Sequence, residues 1–384
     1  MQITISVGGR FHAFYLAQQL FKRGYLKRLI TSYPKFEVKK YGIPPDLVRS
    51  LVLMEVLERL WEKLPSIVRA GYNPQFALAE LFDKEACRYI DSSDIFVGWS
   101  GFSLHALRKA KDKGALAIVE RGSSHISYQQ EILREEYKNF GLKFKGAHPK
   151  IVDKELMEYE EADYIEVPSA FAKETFLEHG IKEEKILQGF RGVNLHEFGR
   201  KTPKFDGVFR IIYVGGMSLR KGVHYLLQAF SELNLPKAEL WLIGRMSNEV
   251  APFLKKYGNA RVFCKGPYPQ RELYKYYSQG SIFVLMSIEE GFANVIAQAM
   301  ACGLPVICTN NSGGGDIVRE GVDGYLIPIR SVTLLKKALE RLYENPELLK
   351  ELSENAQKQV ASSFTWDNYG EQIIGKYKEV LNRG

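Results

Sequence analysis

The chain has 384 residues, 45% hydrophobic and 26% charged, too long for one ordinary domain and suited to two of about 150–200 residues, each able to bury its own core. No segment is biased enough in composition for disorder, no apolar run reaches membrane-spanning length, and Met1–Gly9 lacks the charged, apolar and cleavage regions of a signal peptide, so the expectation is a globular, cytoplasmic protein. The formal net charge is +8, and residues 1–72 hold twelve Lys/Arg against five Asp/Glu, so nearly all the excess lies in that stretch.

In chain order, short β-branched runs alternate with longer stretches at helical spacing, the pattern of a parallel sheet covered on both faces. The first series of expected strands is 2–7, 27–31, 94–99, 115–119 and 164–167. Residues 47–64 read as one strongly apolar helix inside the basic region. Such a helix suits a packing face over the first sheet, and also an interfacial membrane contact. The basic stretch itself fits anionic lipid, a phosphorylated acceptor, nucleic acid or a plain solvated surface. Turn chemistry and charge at 192–207 place the hinge. A second series of strands follows at 209–214, 239–244, 261–264, 281–286, 304–308 and 324–327. The last residues form a helix with Trp366, Tyr369, Ile373, Ile374, Tyr377 and Val380 on one stripe. The expected division is 1–195, 205–363 and a terminal helix 364–384. Cys87, Cys264, Cys302 and Cys308 have neither C-x-x-C nor zinc spacing and read as free thiols.

Open α/β sheets bind ligands beyond the carboxyl ends of their strands, so two facing sheets put a site in the cleft between them. Four turns open there. Gly8-Gly9-Arg10-Phe11-His12 follows the first strand and Glu120-Arg121-Gly122-Ser123-Ser124-His125 follows strand 115–119. Gly8, Gly9, Arg10, His12 and Arg121 are the expected acceptor-side group, with Arg10 and Arg121 suited to an anionic acceptor. In the second half, strand 209–214 runs into Gly215-Gly216-Met217-Ser218-Leu219-Arg220-Lys221-Gly222. Bare glycines, a helix N-terminus and two cations are the chemistry of a diphosphate site. Strand 281–286 then leads through Glu290-Gly291-Phe292-Ala293-Asn294 into a helix. Gln298 follows Glu290 by eight positions and lies on roughly the same helix face, so the two can grip one elongated ligand. Neither Gly-Gly turn extends to G-x-G-x-x-G with a distant acid, which disfavours NAD.

With these motifs in order, the chain resembles glycosyltransferase family 4, the retaining, glycogen-synthase-like group. The resemblance includes Gly192-Val193-Asn194-Leu195-His196-Glu197-Phe198 at the junction, similar to the family's Gly-Val-Asp-x-x-x-Phe. It implies a GT-B fold: α/β, with two facing Rossmann-like doubly wound domains and a C-terminal helix crossing back to the first. It implies that Lys221 and Arg220 bind the donor diphosphate at the Gly215–Gly216 turn, that Glu290 contacts the transferred sugar, and that Gly291, Phe292, Asn294, Gly313 and Gly314 surround it. By the same resemblance His125 touches the donor sugar, and Gln298 stands where the family has its second glutamate on the ribose. Tyr268 is placed near the base. The sequence departs from the family at Gly216, where the family often has Arg, and at Gln298.

No D-x-D pair occurs, so the expected reaction needs no metal and no cofactor beyond the nucleotide-sugar co-substrate. The expected function is transfer of a hexose-type sugar to a hydroxyl acceptor in glycan, glycolipid or small-molecule synthesis, possible peripheral contact with an anionic inner membrane face included, and nucleic acid excluded. An epimerase of the same fold and a non-catalytic sugar-nucleotide binder remain open.

Overall fold

The computed structural model describes residues 1–65, 69, 72–199 and 206–383. Part of the expected hinge, 200–205, lies outside the described residues. Seven parallel strands, β1 (Ile3–Val7), β2 (Leu26–Thr31), β3 (Val48–Ser50), β4 (Ile95–Trp99), β5 (Leu116–Glu120), β6 (Tyr164–Val167) and β7 (Ile186–Gln188), form a sheet in the order β3-β2-β1-β4-β5-β6-β7. A second parallel sheet of six holds β8 (Phe209–Val214), β9 (Ala238–Ile243), β10 (Val262–Cys264), β11 (Ile282–Leu285), β12 (Val306–Thr309) and β13 (Gly324–Ile327) in the order β10-β9-β8-β11-β12-β13. The central strands are apolar on both faces: every residue of β1 and β8 is buried. Strands of that kind need helices on both sides of the sheet.

The helices of the first half are α1 (Ala13–Lys22), α2 (Lys35–Lys39), α3 (Leu53–Lys63), α4 (Gln75–Ala86), α5 (Leu104–Asp112), α6 (Ile126–Asn139), α7 (Pro149–Glu161) and α8 (Ala170–Glu178). The second half adds α9 (Val223–Glu232), α10 (Ala251–Tyr257), α11 (Tyr274–Tyr277), α12 (Asn294–Ala301), α13 (Val332–Glu344), α14 (Pro346–Ser363) and α15 (Trp366–Leu381). This is the two-domain, doubly wound architecture the sequence predicts. Strand order reverses between β1 and β4 and again between β8 and β11, and those two switch points define where ligands bind.

Three features differ from the sequence reading. The apolar stretch 47–64 is not one helix: a turn at Pro45–Leu47 leads into β3, whose Val48 pairs with Leu29, and the helix begins only at Leu53. Burial of Val48 at the sheet edge outweighs the helical spacing, and in α3 Met54 is the one buried side chain. Strand β7 is too short to stand out by pattern. The third feature is α6, which belongs to the first half in sequence but reaches into the second: its Leu133 joins the core built around β8, β11 and β12. Its Glu136, buried, accepts hydrogen bonds from Tyr225 Oη (2.8 Å) and Arg330 Nε (2.7 Å) and meets His224 Nε2 at 3.0 Å. Tyr137 Oη donates to Glu249.

The chain crosses between domains twice, side by side. Val193 bridges Thr365, and a Cβ on Gly192 would lie 2.4 Å from Trp366 N. Thr365 caps α15 by accepting from Asn368 N. Ile373, Ile374, Tyr377 and Val380 of α15 then complete the core of β1 and α1, with Gly370 pressed on Gln19. The terminal helix is thus part of the first domain's core.

Candidate active site

At the second switch point, β8 ends in Gly215 (φ 149°), and Gly244 beside it leaves no room for a side chain: a Cβ there would be 1.9 Å from Gly215 O. Tyr213 Oη donates to Gly216 O at 2.9 Å, which fixes the turn, while the space beside Gly216 is open. Gly222 (φ 62°) caps α9, and a Cβ on it would sit 1.7 Å from Met286 O. Only glycine lets the start of α9 rest on the end of β11. That contact brings Lys221 Nζ to 2.5 Å from Glu290 Oε1, with Ser287 Oγ donating to Glu290 Oε2 at 3.3 Å. Asn294 and Gln298 on α12 face a cavity of 220 Å³ whose opposite wall holds Arg10, Phe11 and His12 of the first domain. Gln298 Oε1 accepts from Tyr277 Oη (3.3 Å), so its amide N–H groups are left to donate.

Phe292 is buried in the core, so only its backbone can meet a ligand. Gly313 (φ 69°) packs under the Gly291 turn, with Gly291 O 2.7 Å from where its Cβ would be, and Gly314 lies against Cys308 Sγ. Tyr268 is partly exposed beyond β10, its ring 4.4 Å from that of Tyr276.

Arg220 is placed differently from its neighbour Lys221. It pairs with Glu289 at 2.8 Å, donates from Nε to Glu289 O (3.1 Å), and reaches Ser123 Oγ of the first domain at 3.2 Å. Glu289 is fully buried at the domain boundary and accepts from Ser123 Oγ (2.7 Å), Ser124 Oγ (2.6 Å), Ser124 N (3.2 Å) and Gln129 Nε2 (2.9 Å). Burial alone would raise its carboxyl, but the Arg220 charge and these hydrogen bonds outweigh it and hold it at about 2. The sequence assigns Glu289 no role; its adjacency to Glu290 and the matching Arg220–Lys221 pair are the signal that could have found it. The boundary is also tight. A Cβ on Gly291 would lie 2.5 Å from Ser123 Cα and 2.6 Å from Gly122 O, and Ser169 Oγ donates to Gly291 O at 2.5 Å.

On the first domain, His125 caps α6, its Nδ1 accepting from Ser127 N (3.3 Å), and its ring stacks on His179 at 4.2 Å. Burial, then His179 and Arg121, push its pKa down to about 3. It is therefore a neutral ring with the proton on Nε2, a donor suited to a hydroxyl oxygen. Arg121 is engaged inside the domain by Glu155 (2.7 Å), Ser124 O (3.1 Å) and Gln129 (3.2 Å). His12 is buried 3.2 Å from Glu120, its pKa driven down by burial and by Arg191, while burial and Glu166 push Glu120 up.

Two clusters among the described residues have metal-like donor spacing, His12–Glu120–Glu166 and Glu80–Asp83–His105. Each already contains a cation. Arg191 lies 3.4 Å from Glu120, and Lys154 Nζ lies 2.5 Å from Glu80 and 2.6 Å from Asp83. Both read as internal charge networks.

Residues 196–359 match the family described as glycosyl transferases group 1. An uncharacterized glycosyltransferase of Methanocaldococcus jannaschii is 26% identical over 295 residues, covering 74% of this chain and 71% of the relative. Among solved structures, sucrose-phosphate synthase from Thermosynechococcus elongatus superposes with a TM-score of 0.73 at 20% identity, over 100% of both chains. Anabaena HepE, solved in complex with UDP-glucose, superposes with a TM-score of 0.69 at 15% identity, over 99% of this chain and 100% of that one. The chain is therefore a glycosyltransferase of GT-B fold whose second domain carries the group 1 match.

Proposed function

We propose that this enzyme moves a hexose-type sugar from a nucleoside diphosphate sugar to a hydroxyl acceptor with retention of configuration and without a metal. The observation that carries the reading is the Lys221–Glu290 pair, 2.5 Å apart where a glycine-only turn seats α9 on the end of β11. A single cation next to a sugar-binding carboxylate, at two helix N-termini, suits a diphosphate leaving group attached to a sugar. In this reading Lys221 exchanges Glu290 for a phosphate oxygen when donor binds, and Glu290 turns to the sugar hydroxyls. Asn294 adds a donor at the start of α12, and Gln298 takes the ribose. The anomeric C–O bond to phosphate then breaks as the acceptor oxygen bonds the same face, and a leaving-phosphate oxygen receives the acceptor's proton. The fold likeness to a UDP-glucose complex makes a uridine nucleotide the first donor to try.

Calorimetry with UDP-glucose and UDP in EDTA-containing buffer tests this. Lys221→Ala is expected to weaken binding roughly 10–100-fold, the worth of a charge-assisted phosphate contact. Unchanged affinity in the variant would remove Lys221 from the donor site, and binding or transfer that requires added magnesium would remove the metal-free mechanism.

We also place the enzyme at an anionic membrane surface as a peripheral protein. Leu53, Val56, Leu57 and Leu60 of α3 are exposed on one helix face within the basic N-terminal stretch, and Phe36 stands exposed among Lys35, Lys39 and Lys40. Apolar side chains surrounded by cations are the complement of an anionic lipid surface. No helix among the described residues is long and apolar enough to cross a membrane.

A further inference from the structure

Two adjacent cations, Arg220 and Lys221, and two adjacent acids, Glu289 and Glu290, are paired in register by the fold. The Lys221–Glu290 pair stays within the second domain. The Arg220–Glu289 pair turns to the first. Glu289 Oε1 accepts from Ser123 Oγ (2.7 Å), Ser124 Oγ (2.6 Å) and Ser124 N (3.2 Å), and Oε2 accepts from Gln129 Nε2 (2.9 Å) and pairs with Arg220 (2.8 Å). Donors from residues 123–129 thus converge on one fully buried carboxylate of the other domain. Taking a carboxylate out of water costs about as much as its partners return, so what such a cluster supplies is fixed geometry more than cohesion.

That geometry matters because of the neighbours. Ser124 precedes His125 and Glu289 precedes Glu290, so the bond from Ser124 Oγ to Glu289 Oε1 lies one residue from each of two side chains read as sugar contacts, one on each domain. Neither neighbour is free to turn alone. His125 N donates to Thr175 Oγ1 (2.9 Å) and its ring stacks on His179, while Glu290 N donates to Asn311 O (2.8 Å). The far end of α6 is tied in the same manner: Tyr137 Oη donates to Glu249, whose Oε1 also accepts from Leu219 N (2.9 Å) in the turn that carries Lys221. The helix that begins at His125 is therefore fastened at one end to the Glu290 loop and at the other to the Lys221 turn.

We propose that Glu289, held by Arg220, is a positioning residue: through the Ser123–Ser124 turn it sets His125 of the first domain against Glu290 of the second, across the donor sugar. The proposal rests on the reading of His125 and Glu290 as sugar contacts. Arg220 then acts through Glu289, and Lys221 alone of the two cations meets the diphosphate.

Glu289→Gln tests this on the full chain. It keeps the side chain's shape, and because both oxygens accept from donors, either orientation of the new amide turns its NH2 group onto a donor. Turnover is read as UDP release from UDP-glucose with water as acceptor, and affinity by calorimetry with UDP-glucose. The rate is expected to fall roughly 10–100-fold, as for a misplaced reacting group, with affinity within about threefold of the parent. The deciding comparison is the His125→Ala background. There Glu289→Gln should slow turnover by less than about threefold more, because a residue that acts through His125 has nothing left to place. Ser124→Ala removes one bond and no charge, should show the same split at a smaller size, and serves as the variant if circular dichroism finds Glu289→Gln unfolded. Equal slowing with and without His125, a loss of affinity that matches the loss of rate, or a His125→Ala enzyme with parental turnover would each overturn the proposal. A parent that binds no UDP-glucose would instead sink that choice of donor, and hydrogen exchange, which needs no donor, then decides for Glu289. Amide exchange across residues 121–129 is expected to rise at least about tenfold in Glu289→Gln, and unchanged exchange there would remove the positioning role.

Discussion

The β11–α12 turn, which leads to the cavity-facing Asn294, and the β1–α1 turn, whose Arg10 and Phe11 line the opposite wall of that cavity, are built in opposite ways. Around Gly291 nothing is spare: its Cβ position is filled by the backbone of Gly122 and Ser123, Glu289 beneath it is buried with every oxygen satisfied, and Gly313 closes the far side. Around Phe11 the protein leaves room, holding an aromatic ring in solvent beside 1190 Å³ of open groove. A tightly packed turn suits a ligand with one fixed geometry, such as a diphosphate, because every donor must be placed in advance. A roomy turn suits a ligand whose length and branching vary. The difference teaches where the chain is fixed and where it has room: the turn before α12 is locked against the first domain's backbone, while the β1–α1 turn leaves its aromatic ring free.

The sharpest way to break that contrast is Gly291→Ala. The added methyl would meet backbone atoms at 2.5–2.6 Å, and backbone cannot move aside without parting the domains. A displacement of about an ångström at a reacting centre costs about 100-fold in rate, so kcat/KM for transfer is expected to fall at least that far with UDP affinity within threefold of the parent. Gly315→Ala on the neighbouring turn, which has open space around it, is the control and should leave both values unchanged. Parental turnover in the Gly291 variant would mean that the domains need not close this tightly, and the contrast between the two turns would lose its meaning.

A second test concerns the outer face of α3. The double change Leu57→Ser, Leu60→Ser removes two exposed side chains and leaves the cavity-lining side of α3 intact. With about 1 kcal/mol for each leucine partly buried in the interface, binding to vesicles of phosphatidylglycerol and phosphatidylcholine should weaken about 30-fold. UDP affinity should stay at the parental level. A parent protein that sediments with no vesicle of this composition would take the membrane out of the picture and leave the leucine face without a lipid role.

The same contrast explains how far sequence alone reached. The two sheets, their central strands and the Lys221, Glu290 and Gln298 elements could be read because they depend on local rules: apolar runs, glycines in strained turns, cations at a helix start. The donor domain is dense in such rules. What the sequence concealed is long-range. Nothing local shows that Glu289 meets Ser123, Ser124 and Gln129 more than 150 positions earlier, or that α6 lends Leu133 and Glu136 to the other domain's core. The groove was hidden for a related reason. Residues 47–64 have helical spacing throughout, and only the pairing of Val48 with Leu29 shows that the stretch starts as an edge strand, with α3 beginning at Leu53. Gly8 and Gly9 stand out in the sequence as a turn after the first strand, but that Phe102 and Phe11 pack on them depends on packing that the order of residues does not reveal.

The smallest expected effect probes the interface at its edge. Asp316 Oδ2 accepts from Ala170 N at the start of α8 (2.9 Å) and Oδ1 from Gln188 Nε2 (3.1 Å), so this carboxyl joins the two domains. Burial raises its pKa to about 6 despite those hydrogen bonds, well above its ordinary value of 3.8. Between these values the folded form binds the proton more tightly than the unfolded form does, so the contribution of Asp316 to stability is complete below pH 3.8 and is lost as pH rises through 6. Asp316→Asn removes the titration while keeping a side-chain oxygen for Ala170 N, and Gln188 can rotate to present its own oxygen to the new amide. The stability difference between variant and parent is therefore expected to shift in favour of the variant by on the order of 1 kcal/mol from pH 4 to pH 7.5, seen as a change in relative Tm of a few degrees. A difference that stays flat across that range would show that the carboxyl is already ionised in the folded protein at pH 4, and that the domain edge is as well prepared for charge as the Glu289 contact at its centre.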